Sequence, residues 1–317
     1  MHSPEPSLPV GGQAVLEGVM MRSPQALAVA VRRPDGTVVL KDEPYTSLAA
    51  RYSLLKRPFV RGPVVLLEAL ITGIRALSFS AQVVAQEEDE EESPLGWKSI
   101  ALTMVFAFLL AFVLFGFLPH YLSGLAGYLL GRPLTPADFL FHVIDGIIKA
   151  FFILVYIWGI SRFREIHRVF EYHGAEHKSI CAYEAGEPLT VENARRHGTC
   201  HPRCGTSFIL VVLLVSLLVF TIFFPLFPPL TRTGLVNNLI QVLIKVALMF
   251  PIAAIAYEII RWGGREPNHP LARVLLWPGL ATQRITTQEP DDSQLEVALE
   301  ALKAVLAREA EAKAALQ

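Results

Sequence analysis

The segment EYHGAEHKSICAYEAG, residues 171–186, lies between two strongly apolar stretches and carries His173 and His177, with Glu176 directly before the second histidine. On an α-helix, residues four apart share one face about one turn from each other, so both imidazoles can bind a single metal ion. The order H-x-x-E-H is that of the inverted zinc hydrolases, in which the glutamate is the general base. Alone, the same string is more often a solvated helix face, so its surroundings must decide.

A second group of metal-ligand side chains follows in HGTCHPRCGT, residues 197–206. Zinc accepts histidine, cysteine thiolate and carboxylate, and a catalytic site keeps three protein ligands and one position for water. We expect Cys204 or His201 as the third ligand, with Glu184 or Glu192 as alternatives. If two of these bind together with both histidines, the site is closed and structural. This second group favours metal binding over a solvated helix face.

The composition is that of a membrane protein. Of 317 residues, 52% are hydrophobic and 18% are charged, whereas soluble domains carry about a quarter charged residues. The mean hydropathy is +0.42. All three cysteines lie within residues 181–204, which fits a metal site or reduced thiols better than a disulfide framework. The first residues have neither the basic start nor the apolar core of a secretory signal.

Four stretches are apolar and long enough to cross the hydrocarbon core, which takes about 20 residues of helix. The helix of the second stretch is expected to continue beyond the membrane, through the two histidines, and to end near Gly186. The four predicted spans are Ile100–Leu118, Val143–Ile160, Phe208–Phe224 and Leu239–Ile260.

A fifth apolar stretch, Val64–Val84, carries Glu68 and Arg75 on one face. Segment 161–206 holds seven Lys and Arg residues and the first 97 residues hold nine. Basic segments stay in the cytoplasm, and a fifth span would place one of these two outside. We therefore predict that Val64–Val84 lies on the membrane surface or against the other helices, and that both termini and the middle loop are cytoplasmic.

The remaining segments suggest a small lobe and a terminal helix. Leu27–Val31 and Thr37–Leu40 alternate around Pro34-Asp35-Gly36, which predicts a β-hairpin. Residues 87–92, EEDEEE, form an acidic linker, and residues 292–317 have the periodicity of an amphipathic helix. The fold class is therefore mainly α: a polytopic membrane protein with about four transmembrane helices, a cytoplasmic N-terminal lobe that contains the hairpin, and a cytoplasmic His/Cys-rich segment between the second and third spans.

The chain divides along its length into six parts. They are the N-terminal lobe 1–62, the interfacial helix and acidic linker 63–97, the first two spans 98–160, the His/Cys segment 161–206, the last two spans 207–262 and the C-terminal segment 263–317.

A glycine-rich motif near the N-terminus, GGQAVLEGVMMRSP at residues 11–24, brackets Gln13 and Glu17 with glycines that permit tight turns. Such a loop can present an amide and a carboxylate to a ligand, or it can be a structural turn that leads into the hairpin. The Walker A motif, the Rossmann fingerprint and the Gly-x-Ser-x-Gly elbow do not occur, so the sequence gives no support for nucleotide use or serine hydrolysis.

The motifs resemble the YqhQ-like family of bacterial membrane proteins, a domain of unknown function (1385) sometimes described as predicted metal-dependent enzymes. The resemblance implies a multi-pass protein of the bacterial inner (plasma) membrane. Ser179 stands where threonine is expected, which keeps the hydroxyl. The segments that carry the resemblance are residues 11–24, 171–195, 201–208 and 277–299. By motif, the residues of interest are His173, Glu176, His177, His201 and Cys204, with Gln13, Glu17 and Arg22.

The first functional hypothesis is a metal-dependent hydrolase with its site at the cytoplasmic membrane face. His173 and His177 would bind Zn²⁺ or another divalent metal, and Glu176 would act as general base on the water that the metal activates. Arg203 would stabilise the developing oxyanion. The substrate stays open among peptides, amides and lipid head groups.

Two other classes compete with the hydrolase. One is a membrane scaffold held together by a closed zinc site. The other is a transporter of ions or small solutes that uses Asp145, Lys149 and Lys245 within the spans. Four spans without repeats would need a homo-oligomer to form a pore. The expected partner in every case is the lipid bilayer, and no nucleic acid is expected.

Overall fold

The computed structural model describes residues 8–85, 97–136, 138–226, 234–266 and 269–314. It is mainly helical, with one small antiparallel sheet close to the N-terminus. The chain forms two compact units, which we call the lobe and the helical unit. The lobe gathers residues from 1–90, 159–204 and 280–317, and the helical unit gathers residues from 91–158 and 205–279. The predicted acidic linker, 87–92, lies outside the described residues.

Among the described residues, the four strands come first along the chain and the α-helices follow them. The strands are β1 Gly11–Val15, β2 Gly18–Arg22, β3 Ala26–Arg32 and β4 Val38–Pro44. The α-helices are α1 Leu48–Arg51, α2 Arg61–Ala85, α3 Trp97–Phe112, α4 Leu118–Leu129, α5 Phe139–Ile160, α6 Arg164–Glu184, α7 Val191–Arg196, α8 Gly205–Phe223, α9 Gly234–Arg265, α10 Pro270–Thr286 and α11 Asp292–Ala314.

The predicted hairpin is confirmed, and it belongs to a larger sheet with strand order β1-β2-β3-β4. Strands β3 and β4 pair antiparallel on either side of the predicted turn. Gly36 has a φ of +87°, a conformation that glycine adopts without steric cost. The Asp35 carboxylate accepts a hydrogen bond from the Thr37 N–H at 2.7 Å, which is typical of a turn aspartate.

The N-terminal glycine motif is a second hairpin rather than a loop. Strands β1 and β2 pair antiparallel, and Leu16 and Glu17 form the turn, with Glu17 at a φ of +49°. A Cβ at Gly18 would lie 2.2 Å from the Ala30 carbonyl oxygen, so the close approach of β3 requires glycine there. Of the two alternatives for this motif, the structural turn is the one that the hairpin geometry favours, and a ligand role for Gln13 and Glu17 stays a prediction.

Side-chain alternation gives the sheet two different buried faces. Ala28 and Ala30 lie on one face with residues of α6 and α11, and Val29 and Val31 lie on the other with residues of α2. Small alanines allow two helices to approach the first face closely, while branched side chains fill the second. A strand buried on both faces reads as a continuous apolar run, which explains why β2 and β3 show little alternation of polarity.

Helix α2 covers the second face of the sheet. Ala76 and Val83 belong to its apolar cluster, and the Ser80 hydroxyl accepts a hydrogen bond from the Leu16 N–H at 3.2 Å. The buried Glu68 carboxylate accepts hydrogen bonds from the Ser47 hydroxyl at 2.9 and 3.1 Å. The opposite side of α2 exposes large apolar residues: Leu67, Leu70, Ile71 and Leu77.

The second predicted span does not continue unbroken into the His-rich segment. Helix α5 ends at Ile160, three residues of turn and bend follow, and α6 begins at Arg164. Phe163 has extended backbone angles at the start of α6, and Gly159 lowers helix propensity by about 1 kcal/mol relative to alanine close to the break. The predicted end of the helix is confirmed, because Gly186 follows α6 with a φ of +71°.

Five helical segments of the described residues are long and apolar enough to cross a membrane. Four of them overlap the predicted spans, and the fifth is α2. Their bounds are Arg61–Ala85, Ala101–Leu129, Phe139–Ile160, Gly205–Leu226 and Ile240–Arg265.

Helical structure extends beyond the first predicted span, from α3 to Leu129 through a π-helical segment, Val113–Phe117. Pro119 lies at the start of α4 and has no N–H to donate, and its ring excludes the carbonyl of residue 115 from an ordinary α-helical position. A π-helical turn accommodates such a residue without ending the helix.

The predicted C-terminal amphipathic helix is confirmed as α11 over its described length. Its buried side includes Leu295, Leu302 and Val305, which pack in the cluster with the alanine face of the sheet. Glu309 is buried and accepts hydrogen bonds from the Ser23 hydroxyl at 2.6 Å and from a backbone N–H. The lobe is therefore completed by residues from near the end of the described chain.

Candidate metal centre

Helix α6 is fixed to the N-terminal hairpin by one charged contact. The Arg168 guanidinium donates from Nε to Glu17 Oε1 and from Nη2 to Glu17 Oε2, both at 2.5 Å. The Tyr172 hydroxyl donates to Glu17 Oε2 at 3.3 Å. Bidentate arginine–carboxylate pairs fix orientation as well as distance. Glu17 therefore holds in place the helix that carries both histidines.

The two histidines lie side by side, as their spacing predicts, with ring centroids 4.5 Å apart. His173 Nδ1 donates to the Thr286 carbonyl oxygen at 2.9 Å, and His177 Nδ1 donates to the Thr199 carbonyl oxygen at 2.5 Å. Each ring therefore keeps Nε2 for another partner. Metal-binding histidines commonly have this arrangement, in which a carbonyl fixes the tautomer and the ring orientation.

Cys204 brings a third ligand atom to the same place. Its sulfur lies 3.3 Å from His173 Nε2, and one ligand atom from each of His173, His177 and Cys204 lies within 4.8 Å of the other two. His177 and Cys204 are buried. Two imidazoles and one thiolate are ligands that zinc accepts, and three protein ligands leave one position for water or substrate.

Glu176 lies beside this cluster, with Oε2 3.9 Å from His173 Nε2. Burial raises the pKa of the Glu176 carboxyl, while His173 and the backbone N–H of Gly12 act in the opposite direction. A Cβ at Gly12 would lie 2.7 Å from Glu176 Cγ, so the N-terminal strand approaches the carboxylate too closely for a larger residue. The N-terminal glycine motif and the histidine motif of α6 therefore meet at the Glu176 carboxylate.

His201 is close to the cluster but has other partners. Its ring centroid lies 5.7 Å from that of His177. Its Nδ1 accepts from the Arg203 N–H at 3.3 Å, and its Nε2 lies 3.3 Å from Glu184 Oε2. The Arg203 guanidinium also pairs with Glu184. His201 was predicted as a metal ligand and Arg203 as the partner of the oxyanion. Contacts with Glu184 compete with both of these roles.

Burial keeps the imidazoles of His177 and His201 in the neutral form that binds metals. Desolvation is the main reason that the pKa of His177 is lowered to about 3, and the neighbouring His173 contributes. Burial also lowers the pKa of His201. A neutral imidazole has a free nitrogen lone pair at neutral pH, so His177 needs no deprotonation to act as a ligand.

The other predicted residues of the N-terminal motif point away from the cluster. Gln13 packs against Gly73 of α2, on the other face of the sheet from Gly12. The Arg22 guanidinium stacks over the Tyr45 ring, with its carbon 5.2 Å from the ring centroid. The structure therefore does not bring Gln13 and Arg22 together with the histidines, while the alternative ligand Glu192 pairs with the helix-neighbour Arg196.

Several positioning residues were missed by sequence reasoning. Gln283 clamps the backbone of His201: it accepts from the His201 N–H at 2.8 Å and donates to the His201 carbonyl at 2.9 Å. Buried Lys178 donates to the Arg195 carbonyl at 3.0 Å and to Glu289 at 2.5 Å. The sequence contains a signal for both contacts, because Gln283 and Glu289 lie in segment 277–299, one of the motifs that carry the family resemblance.

Gly174, between the two histidines, permits a second close approach. A Cβ there would lie 2.0 Å from the Gln288 carbonyl oxygen, a distance that no side chain tolerates. The Gln288 N–H donates to the Phe170 carbonyl of α6 at 2.9 Å. Glycine therefore allows the C-terminal segment to lie directly on the helix, which brings the Thr286 carbonyl to His173.

These features define a class: a protein with several apolar helices and a lobe that carries a buried His-His-Cys cluster beside a glutamate. The model of the family described as "Protein of unknown function (DUF1385)" matches residues 57–308, and the chain belongs to that family. The chain is 33% identical over 310 residues to "Uncharacterized protein YqhQ" of Bacillus subtilis strain 168, which covers 95% of this chain and 93% of that protein. No solved structure matches.

Replacement of Gly174 by alanine is expected to destabilise the lobe, because the new methyl group must push the Gln288 carbonyl away. Overpacking of this kind costs about 1–3 kcal/mol. The measurement is the midpoint of thermal unfolding of the full chain in detergent. Gly124→Ala in α4 is the matched control, because a Cβ there meets nothing within 4 Å. Equal midpoints for the two variants would contradict this account of Gly174.

Proposed function

We propose that the chain is an integral protein of a bacterial plasma membrane with four spans, and that the lobe is cytoplasmic. The lobe consists of the N-terminal, middle and C-terminal segments, which the distribution of Lys and Arg assigns to one side. Segments that share a packed core lie on the same side of a membrane. An even number of spans must therefore separate each segment from the next.

Helix α2 is the element that decides this count. The Glu17–Arg168 ion pair joins residues before and after α2, α3–α4 and α5. If α2 crossed the membrane, three crossings would separate Glu17 from Arg168, and the two side chains could not meet. The packing of Ala76 and Val83 on the sheet supports the same conclusion. We therefore assign α2 to the lobe, with its exposed apolar side on the membrane surface.

We further propose that the lobe is a metal-dependent hydrolase, with His173, His177 and Cys204 as protein ligands. The observation that carries this proposal is the convergence of their ligand atoms within 4.8 Å, with both histidines held by backbone carbonyls. Zn²⁺ or another divalent ion bound there would supply a Lewis acid and lower the pKa of a water molecule toward neutrality.

Glu176 is the proposed general base. Its carboxylate lies next to the ligand cluster, and burial raises its pKa toward the range in which a carboxylate accepts and returns protons near neutral pH. The Gly12 N–H holds the carboxylate in place. Arg203 would act on the substrate oxygen after exchanging its contact with Glu184 for one with the substrate.

The second candidate is a scaffold with a closed zinc site, which the proximity of His201 to His177 favours. For His201 to become a fourth ligand, it must give up Glu184 or the Arg203 N–H. These contacts hold His201 away from the cluster. A fourth coordination position would then remain for water or substrate, which supports the hydrolase over the scaffold.

The orientation is tested with an impermeant maleimide on intact cells. Cys200 is exposed in the lobe and Arg132 is exposed on the opposite side of the proposed membrane. We expect Arg132→Cys, in a Cys200→Ser background, to be labelled before lysis, whereas native Cys200 is labelled only after lysis. Rapid labelling of Cys200 in intact cells would reverse the assignment of the lobe to the cytoplasm.

Metal content is the direct test of the cluster. The purified full chain should carry about one divalent ion, because the three ligands are preoriented. The double variant His173→Ala with His177→Ala should carry less than about a tenth as much by elemental analysis. The matched control removes two histidines elsewhere in the lobe, His167→Ala with His197→Ala, and should keep the ion. Equal, substoichiometric metal in the wild type and the cluster variant would contradict the proposal.

Glu176→Gln separates the hydrolase from the scaffold, because the amide keeps the shape of the side chain but cannot act as a base. We expect normal expression and metal content, with activity reduced by about 10²–10⁴. Complementation of a strain that lacks the gene provides the functional readout while the substrate is unknown. Glu192→Gln, on the exposed surface of α7, is the control. Full complementation by Glu176→Gln would favour the scaffold.

A further inference from the structure

The helical unit contains a cavity of about 260 Å³ between α3, α4, α5, α8 and α9. Its walls are mostly aliphatic and aromatic, and its polar lining consists of Lys149, Lys245, His120 and Ser216. An apolar cavity of about 150 Å³ is already large enough to bind benzene. This cavity can therefore hold a head group and the first part of an apolar chain.

The charges that face the cavity are positive. Among the described residues, its lining includes two lysines and no carboxylate. Asp145 lies behind them, and its Oδ2 is 2.5 Å from Lys149 Nζ and 3.6 Å from Lys245 Nζ. One carboxylate thus serves two ammonium groups. The formal charge of Lys149, Lys245 and Asp145 together is +1.

Lys245 is the less well compensated of the two lysines. Its ammonium group lies 3.2 Å from His120 Nδ1 and 5.5–5.8 Å from the ring centroids of Phe141, Phe220 and Phe224. Cation–π contacts with these rings stabilise an ammonium group, but they do not replace a counter-ion in an apolar surrounding. A positive formal charge at the lining would repel a cation and attract an anion.

The cavity wall also contains the irregular part of the first apolar helix. Phe115 and Gly116 belong to the π-helical segment Val113–Phe117 and line the cavity. A π-helical turn widens a helix locally and is frequent at functional sites.

We propose that this cavity binds an amphiphile with a single anionic head group, a carboxylate or a phosphate, and an acyl chain. The head group accepts hydrogen bonds from Lys149 and Lys245 and completes the charge balance with Asp145. The chain occupies the apolar remainder of the cavity. The proposal is independent of the metal centre, because it uses only residues of the helical unit.

The test is native mass spectrometry of the purified full chain in a neutral detergent. Three probes share the same monounsaturated hydrocarbon chain: oleate, oleoyl lysophosphatidate and oleyl alcohol. We expect at least one anionic probe to bind ten times or more tighter than the alcohol. Preference for oleate identifies a fatty acid as the source of the head group, and preference for lysophosphatidate identifies a phospholipid. Equal binding of all three probes would overturn the proposal.

Two variants change the net charge at the cavity in opposite directions. Lys245→Met removes the excess charge but keeps the 2.5 Å Lys149–Asp145 pair, so the fold is expected to persist and anionic binding to fall about tenfold. Asp145→Asn raises the net charge and should strengthen anionic binding. Lys41→Met, an exposed lysine of β4, is the matched control. An unchanged preference for the anionic probe in Lys245→Met would also overturn the proposal. If a variant fails to fold, the binding of the three probes to the wild-type chain decides the proposal alone.

Discussion

The close contact of helix α6 with two backbone segments is the constraint on which the lobe depends. At Gly12, strand β1 approaches Glu176, and at Gly174, the backbone before α11 lies directly on the helix. Neither approach leaves room for a side chain. The same contacts deliver a backbone N–H to the glutamate and, through Thr286, a carbonyl to His173. The glycines therefore set the geometry of the ligands, although they carry no chemistry themselves.

For this reason the sheet and the His-His-Cys cluster depend on the same contacts. Glu17 anchors α6 through Arg168, and the alanine face of the sheet is covered jointly by α6 and α11. Burial of this core makes the surroundings of His177 apolar, which keeps the imidazole neutral and makes Glu176 a stronger base. Packing energy and ligand chemistry are thus supplied by the same contacts, and a change in one is expected to alter the other.

Sequence periodicity predicted what depends on local spacing: the shared face of His173 and His177, the hairpin β3–β4, the apolar helices and α11. It did not predict the first hairpin, because Gly11 and Gly12 are poor strand formers and the turn at Leu16 and Glu17 has none of the residues that usually mark a tight turn. The choice between Cys204 and His201 depends on the path of a loop, which only tertiary contacts determine. The carbonyl of Thr286 that orients His173 is a backbone atom, so the identity of its residue carries no signal.

The order of synthesis adds a constraint on how the cluster forms. The oxygen that orients His173 comes 113 residues later in the chain, after α8 and α9. Until those two apolar helices have been made, the alanine face of the sheet lacks α11 and the histidine lacks its partner. The cluster is therefore among the last parts of the molecule to form, and the proposed metal binding would report that the chain has folded as far as α11. A chain interrupted before α10 would expose an uncovered sheet face to proteases and to aggregation.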